Sequence, residues 1–259
     1  MLNNFIAELA KENNEVRKKR FGGEINVSVE CSKRYTLSEI RRNPIDVNIL
    51  NRRDSGTPID VVDSGIQYYL RVALRHTSIG DGKVAVLNPA DYLRPGGTYI
   101  EGDCEYEENI CSTTTLYEVL SKCNSYYDWN WEHINKGLGT NVCLYTPRVT
   151  VLDNCNNSIG EVDVISCSAP NYDTVSVSKC NKAIRDRIEL VLDVAVRNEI
   201  KHLILCGFGC GCERSDIDYI AGAFRDICSV YQSRFDTIVF VMDTTKGAKV
   251  FKKTFEVPV

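Results

Sequence analysis

Two adjacent carboxylates, Glu107 and Glu108, begin a segment with helical apolar spacing, and a loop with flexible glycines comes before them. Neighbouring side chains on a helix diverge by about 100°, so these two acids cannot both flank one bond. The arrangement favours two different tasks, in which one acid hydrogen-bonds a hydroxyl group and the other transfers a proton. The alternative is that both carboxylates only complement the positive end of the helix dipole.

A second group, GFGCGCERSD, alternates Gly207, Gly209 and Gly211 after an apolar run and ahead of a predicted helix. Glycine allows a ligand to approach the backbone closely, and the N–H groups of such a turn converge on an anion. The group is not a P-loop, because no Gly-Lys-Ser/Thr follows, and its spacing differs from the dinucleotide fingerprint. It predicts a phosphate-binding loop, and a purely structural turn is the alternative.

Strand-like and helical segments alternate along the chain, which predicts a largely parallel sheet with helices on both faces. The predicted strands are residues 59–62, KVAVLN, VDVISCS, HLILCG and TIVFVM, and the predicted helices are residues 66–74, 107–122, 178–198, 216–231 and one that ends near Phe255. Ligands of such folds bind at the carboxyl ends of the strands. We therefore expect the acid-bearing loop, the loop Ala169-Pro170-Asn171 and the glycine loop to meet at that edge.

The remaining segments give weaker patterns. Residues 3–20 predict a helix with Phe5, Ile6, Leu9 and Val16 on one side, and its basic run 17–20 is either a nuclear address or the cationic end of that helix. EINVSVE alternates like a half-buried strand, and residues 31–57 are polar and irregular. Residues 80–82 predict a turn, and the runs NVCLYTP and VTVLD predict a β-hairpin.

Composition limits the classes of function. The 259 residues are 43% hydrophobic and 25% charged, which is typical of a globular protein with a packed core. A net charge of −4 provides no general attraction for nucleic acid, and no apolar run approaches the roughly 20 residues that span a bilayer. We expect no direct binding to nucleic acid and no membrane association.

Twelve cysteines are present, and some lie inside apolar strand-like runs, such as Cys143 and Cys167. In a chain without a recognisable secretion signal, this pattern indicates free thiols and an intracellular protein, cytoplasmic, nuclear or both. Cys206, Cys210 and Cys212 have neither a C-x-x-C pair nor a nearby histidine, so no metal site is expected.

The order of these motifs resembles one known family. Pro-Gly-Gly, a spacer, an acid pair and a Leu-Tyr helix are similar to the signature of the microbial-type poly(ADP-ribose) glycohydrolases, a branch of the macrodomain fold. That signature consists of three glycines, a short spacer and Gln-Glu-Glu. VLNPA, APN, GFGCG and FDTIVFVMD follow the family's order too, so the likeness runs from about residue 57 to the C-terminus. Residues 1–56 are similar to the family's accessory segment.

The resemblance implies a fold and a domain organisation. The fold is macrodomain-like α/β, with a mixed, largely parallel sheet flanked by helices. Residues 57–259 would form the catalytic domain, and residues 1–56 would form an N-terminal accessory segment packed on its core. Three residues depart from the signature: Thr98 replaces the third glycine, Tyr106 replaces the glutamine, and Glu213 stands where many relatives carry an aromatic residue.

The resemblance also implies roles for individual residues. The ligand would be ADP-ribose, as free nucleotide, polymer or ADP-ribosylated protein. Glu107 would bind a ribose hydroxyl, Glu108 would protonate the departing glycosidic oxygen while water attacks the anomeric carbon, and no metal or cofactor would take part. Asn88 would help to orient the distal ribose, and the diphosphate would lie between the loops 95–98 and 207–212. The full set of implied substrate-binding residues is Asn88, Pro95, Gly96, Gly97, Thr98, Tyr106, Asn171, Gly207, Phe208, Gly209, Cys210, Gly211, Cys212 and Glu213.

Two alternatives stay open at this point. The departures at Tyr106 and Glu213 allow a macrodomain that binds ADP-ribose without cleaving it. An unrelated α/β enzyme for nucleotides or other phosphates is the second alternative, because a fold does not determine a function.

Overall fold

A computed structural model describes residues 2–46, 57–76 and 82–256. Within them, one sheet contains the strands β1 (Lys33–Thr36), β2 (Ile59–Asp63), β3 (Lys83–Pro89), β4 (Val142–Leu152), β5 (Ser158–Cys167), β6 (Ile200–Leu205) and β7 (Thr237–Met242). The spatial order is β1-β4-β5-β3-β6-β7-β2. The pairs from β5 to β2 are parallel, whereas β4 is antiparallel to both β1 and β5. The predicted mixed, largely parallel sheet is confirmed.

Helices cover both faces of this sheet. They are α1 (Leu2–Arg20), α2 (Gly22–Cys31), α3 (Leu37–Arg42), α4 (Ile66–His76), α5 (Tyr106–Thr113), α6 (Leu116–Leu120), α7 (Asn124–Glu132), α8 (Val177–Arg197), α9 (Ile217–Tyr231) and α10 (Thr245–Glu256). One core joins the sheet to α8, α9 and α10, and a second core joins its other face to α2 and α4–α7. The apolar residues of α8 lie at 3–4 spacing, so a single face of this long helix covers the sheet.

EINVSVE was predicted as a strand, and this prediction is wrong, because the segment belongs to helix α2. Its buried residues, Ile25 and Ser28, are three positions apart, whereas Val27 is 38% exposed. A spacing of three places both buried side chains on one face of a helix. The apolar side predicted for α1 is also wrong: Phe5 is 64% exposed, and α1 buries Ala10 and Arg17 instead.

The predicted hairpin of NVCLYTP and VTVLD is one continuous strand, β4. A register shift between Thr146 and Val149 lets this strand continue past Pro147, with Arg148 at a φ of 57°. The Arg148 N–H donates to Asp163 Oδ1 of β5 at 2.9 Å, so the strand stays joined to its neighbour across the bulge.

The predicted helix 107–122 is two helices, α5 and α6, because the chain is extended at Thr114. The Thr114 hydroxyl donates to the Ile110 carbonyl at 2.8 Å, and the Thr115 N–H donates to the Thr150 carbonyl of β4 at 3.0 Å. The break therefore ties the end of α5 to the sheet.

Residues 33–42 are ordered as β1 and α3, although the sequence predicted an irregular segment there. Thr36 and Glu39 form a capping box that starts α3, and β1 pairs with β4 at one edge of the sheet. The N-terminal segment thus contributes a strand to the central sheet, while the domain boundary at residue 56 stays a prediction. Gly80 and Asp81 lie outside the described residues, and helix α7 was missed.

All twelve cysteines are free thiols, as predicted. Across the part of the chain that the structure describes, no helix is both long and apolar enough to cross a membrane.

Candidate active site

A cavity of about 850 Å³ opens at the carboxyl ends of β3, β5, β6 and β7. The segments that line it include Pro89–Leu93, Glu105–Glu108, Ser168–Tyr172, Gly209–Cys212 and Met242–Thr244. The acid-bearing loop, the loop after β5 and the glycine loop therefore meet, as the strand-end rule predicts.

The glutamate pair lies in the first turn of α5, and both side chains are buried, with Glu107 4% and Glu108 6% exposed. Glu107 Oε1 accepts from Asn88 Nδ2 at 3.0 Å, and its Oε2 accepts from the Asp91 N–H at 2.7 Å. Glu108 Oε1 accepts from the Thr98 N–H at 2.9 Å and from the Thr98 hydroxyl at 3.1 Å. The two acids thus have separate partners, as two different tasks require.

Burial raises the pKa of Glu107 from 4.5 to about 8, and the negative charge of Glu108 adds to this rise. The hydrogen bonds from the Asp91 N–H and from Asn88 oppose the rise, because they stabilise the ionised form. At neutral pH the free site therefore keeps a proton on this carboxyl group.

The loop Pro95–Thr98 was expected to contact the diphosphate, but the structure places it outside the cavity lining, beside the glutamates. A Cβ atom on Gly97, which has a φ of +59°, would lie 2.3 Å from Glu108 Oε1 and 3.2 Å from Glu107 Oε2. A side chain at this position would displace Glu108. Thr98, where the signature has glycine, provides a hydroxyl donor to Glu108 that glycine lacks.

Asn88 also differs from its expected role. Its side chain is fully buried behind Glu107 and does not line the cavity. Its amide donates to Glu107 and, at 3.2 Å, to Ser166 Oγ. Asn88 therefore positions Glu107, and the structure gives it no direct access to a ribose.

In the glycine loop, Gly207, Gly209, Cys210, Gly211 and Cys212 line the cavity. Gly209 has a φ of +83°, and a Cβ atom there would lie 2.6 Å from Ile184 Cδ1, so its left-handed backbone and its close packing together favour glycine. In the described chain, the N–H groups of Gly209 and Gly211 donate to no other protein group. They are available to an anion.

Two residues assigned to this loop do not reach the cavity. Phe208 is fully buried and belongs to the core beneath the loop. Glu213 is exposed and lies outside the lining. A side chain within or directly after a glycine-rich turn can face either the core or the solvent, and the sequence position alone does not distinguish the two.

Tyr106 and Asn171 do line the cavity. The Tyr106 hydroxyl is buried without a hydrogen-bond partner among the described residues, and burial raises its pKa well above the usual value. Asn171 Oδ1 accepts from the N–H groups of Asp173 at 2.8 Å and Thr174 at 3.3 Å, so it shapes its own loop.

Sequence reasoning missed several lining residues. Asp91, Asp243 and Thr244 directly follow β3 and β7, so the strand-end rule could have identified them. Ile134 and the segment Gly137–Gly139 follow no strand end, and nothing in the sequence marked them.

One buried cation connects the N-terminal helix to the glutamates. The Arg17 side chain is 2% exposed and donates to the carbonyls of Cys111 at 2.9 Å, Ser112 at 2.7 Å and Thr114 at 3.0 Å. These carbonyls lie at the C-terminal end of α5, where helix carbonyls have no partner within the helix. Arg17 therefore fixes the helix that carries the acid pair.

The sheet order, the cavity and the buried glutamate pair define a macrodomain-like α/β protein with an acid pair at its site. The family model of the microbial-type PARG catalytic domain, where PARG is poly(ADP-ribose) glycohydrolase, matches residues 5–154, more than half of the chain. The chain belongs to this family, and it is a glycosidase of the ADP-ribose glycohydrolase type. The predictions of family, fold class and enzyme class are confirmed. No curated protein matched in a sequence comparison.

Solved structures agree with the fold. PARG from Thermomonospora curvata has 21% sequence identity and a TM-score of 0.83, over 97% of this chain and 100% of that chain. The same enzyme bound to the inhibitor ADP-HPD has 21% identity and a TM-score of 0.80, over 96% and 99%. PARG from Deinococcus radiodurans in complex with ADP-ribose has 24% identity and a TM-score of 0.74, over 90% and 96%. Because the structural match to the Thermomonospora curvata protein covers 97% of this chain, it includes most of the N-terminal segment.

Proposed function

We propose that the cavity binds ADP-ribose and that Glu108 is the general acid for hydrolysis of the glycosidic bond at its distal ribose. The observation that carries this proposal is the buried glutamate pair, whose members have separate partners in one cavity. ADP-ribose and ADP-HPD in complexes of two bacterial PARG proteins support the choice of ligand.

The available N–H groups of Gly209 and Gly211 suit the diphosphate, and the N-terminus of α9 beyond them adds a favourable dipole. Because β6 lies next to β3 in the sheet, a diphosphate on this loop places one ribose over the end of β3, beside the glutamates. The adenosine then extends towards β7, where Asp243 and Thr244 line the cavity.

In the proposed reaction, the bond between the anomeric carbon and the leaving oxygen breaks as Glu108 donates its proton to that oxygen. Water attacks the anomeric carbon, and the Glu108 carboxylate takes up the proton that the water loses. Both Thr98 hydrogen bonds go to Glu108 Oε1, so Oε2 is the oxygen free to carry the transferred proton. Glu107 accepts a hydrogen bond from a ribose hydroxyl and positions the sugar.

We expect ADP-ribose to raise the melting temperature, because it binds only the folded state, and we expect adenosine to have a much smaller effect. The measurement is a thermal shift with ADP-ribose, adenosine and ATP, combined with turnover of poly(ADP-ribose) and of ADP-ribosylated protein. Equal shifts from adenosine and ADP-ribose would contradict the proposed diphosphate site. Tight binding without turnover would identify a protein that only recognises ADP-ribose.

The pH dependence follows from the raised pKa of about 8 at Glu107. Loss of this proton places a negative charge beside Glu108 and next to an anionic substrate, so we expect kcat/KM to fall as the pH rises through about 8. The folded state also binds this proton more tightly than the unfolded chain, whose pKa is 4.5. Stability from this group is therefore complete below about pH 4.5 and decreases as the pH rises through about 8. A rate that stays constant to pH 10 would contradict this assignment.

A further inference from the structure

The part of the cavity rim formed by the end of α7 and the turn Asn135–Gly137 has features that the proposed reaction does not use. Ile134 lines the cavity and is still 37% exposed. Trp131 lies three residues earlier, in the last turn of α7, and is 58% exposed. Two large apolar side chains are therefore accessible on the segment that forms this rim.

The backbone of this rim is strained. Asn135 and Lys136 are consecutive non-glycine residues in the left-handed region, with φ angles of 48° and 55°. Such conformations persist where the surrounding structure fixes them, and they are concentrated at functional sites. Here the Asn171 N–H donates to the Gly137 carbonyl at 3.0 Å, and the Thr174 hydroxyl donates to the Lys136 carbonyl at 3.3 Å.

Lys136 is exposed on this turn. Within the described residues, no acidic side chain forms an ion pair with its ammonium group. Its neighbour Gly137 lines the cavity, so the backbone of Lys136 belongs to the rim, and its exposed side chain is accessible to an anionic ligand. The rim thus combines an accessible indole with an accessible positive charge.

The position of the rim relative to the scissile bond follows from the sheet order. β6, with the glycine loop, lies on one side of β3, and β5 lies on the other. With the diphosphate on the β6 side and the distal ribose over β3, the group attached to that ribose extends towards β5. Asn171, which fixes the rim turn, lies in the loop that follows β5.

Hydrogen bonds also connect α7 to the glutamates through one short segment. The Asp91 N–H donates to Glu107 at 2.7 Å, Asn130 Nδ2 donates to the Tyr92 carbonyl at 2.8 Å, and the Tyr92 hydroxyl donates to the His133 carbonyl at 3.0 Å. The end of α7 therefore packs against the segment that positions Glu107.

We propose that Trp131, Ile134 and Lys136 form a subsite for the leaving group, and that its ligand is the adenosine diphosphate part of the next unit in an ADP-ribose chain. This inference rests on the proposed function of the cavity. The adenine of that unit stacks on the exposed apolar side chains, as bases do on aromatic residues. The diphosphate of the same unit is an anion and pairs with Lys136. A single ADP-ribose on a protein side chain has neither group at this position.

The test uses the Glu108→Gln variant, so that bound oligomers stay intact. Its affinity is measured for ADP-ribose and for a two-unit ADP-ribose oligomer. We expect the oligomer to bind about tenfold more tightly, and Trp131→Ala to abolish that advantage without changing the affinity for ADP-ribose. Lys136→Asn, which tolerates the left-handed backbone, should reduce the advantage severalfold at low salt and less at high salt.

Matched controls are Tyr68→Ala, which removes a 69% exposed aromatic side chain on α4, and Lys252→Asn, which removes an exposed lysine on α10. Neither residue lines the cavity, and neither change should alter the ratio of the two affinities. When Glu108 is kept, so that the protein is active, Trp131→Ala should lower kcat/KM for the polymer and leave turnover of single protein-linked ADP-ribose unchanged.

Three results would overturn the subsite. They are an oligomer that binds no more tightly than ADP-ribose, an advantage that survives both substitutions, and an equal loss for both ligands. Preferential loss of turnover on ADP-ribosylated protein would assign the rim to a peptide instead. Absence of any ADP-ribose binding would contradict the proposed function itself, and this outcome is distinct from the other three.

Discussion

Replacing Glu108 with Gln should lower turnover of ADP-ribose conjugates by about 10²–10⁴-fold, because an amide cannot deliver the proton to the leaving oxygen. The structure predicts that this variant folds normally. Thr98 donates twice to Glu108 Oε1, and the oxygen of a Gln side chain can accept both hydrogen bonds. The affinity for ADP-ribose should therefore be retained. The measurement is turnover together with ADP-ribose affinity for the wild type and the variant.

Glu107→Gln provides a contrast within the same pair. Both oxygens of Glu107 accept hydrogen bonds from donors, Asn88 Nδ2 and the Asp91 N–H, so an amide NH₂ group would face one of those donors. This variant should lose stability and sugar positioning in addition to activity. Glu101→Gln, which removes an exposed carboxylate outside the cavity, is the matched control. If Glu108→Gln matches an active wild type, the assigned mechanism is wrong.

Replacing Arg17 with Met should cost about 3–5 kcal/mol in the free energy of unfolding, which is typical when one member of a buried charged network is removed. Three carbonyls at the end of α5 would lose their donor. Glu118, which is fully buried and 4.0 Å from Arg17, would lose its nearest positive charge. This predicted effect on stability is the largest for any single residue considered.

Arg17→Met should also lower turnover roughly tenfold to hundredfold at a temperature where the variant is folded, because small displacements of reacting groups are costly. The ADP-ribose affinity should change less, since the glycine loop lies on other elements. Arg20→Met is the matched control: it removes an exposed arginine of the same helix with one hydrogen bond to Asn157. The free energy of unfolding and kcat are measured for the wild type and for both variants, and they report the effects on stability and on turnover respectively. Normal turnover in a destabilised Arg17→Met protein would limit Arg17 to a stabilising role.

The sequence was sufficient to predict the features that follow local rules. A parallel sheet places strand ends at one edge, so Glu107, Asn171 and Gly209 could be assigned to a common cavity before the structure was known. The family resemblance added ADP-ribose and the separate roles of the two acids. These predictions depended on residue type and position relative to a strand, which the sequence shows directly.

Other features depend on long-range packing that the sequence does not show. Arg17 belongs to a basic run that resembles a solvated helix end, yet its partners are about one hundred residues further along the chain. The runs NVCLYTP and VTVLD predicted a hairpin, but a bulge at Arg148 allows β4 to continue through both. Ile25 and Ser28 fit a helix only when the surface they pack against is known.

The four-residue strand β1 has a consequence for the behaviour of the protein in solution. It pairs with the first four residues of β4, whose eleven residues are mostly buried and apolar, and it thereby covers the outward hydrogen-bonding groups of Val142–Tyr145. β1 itself presents the exposed side chains of Lys33 and Arg34 at the outer edge. Short, positively charged edge strands discourage further strand addition, whereas a long apolar edge templates it. Colloidal stability of the catalytic sheet therefore depends on a few residues of the N-terminal segment, which protect it from intermolecular β-aggregation.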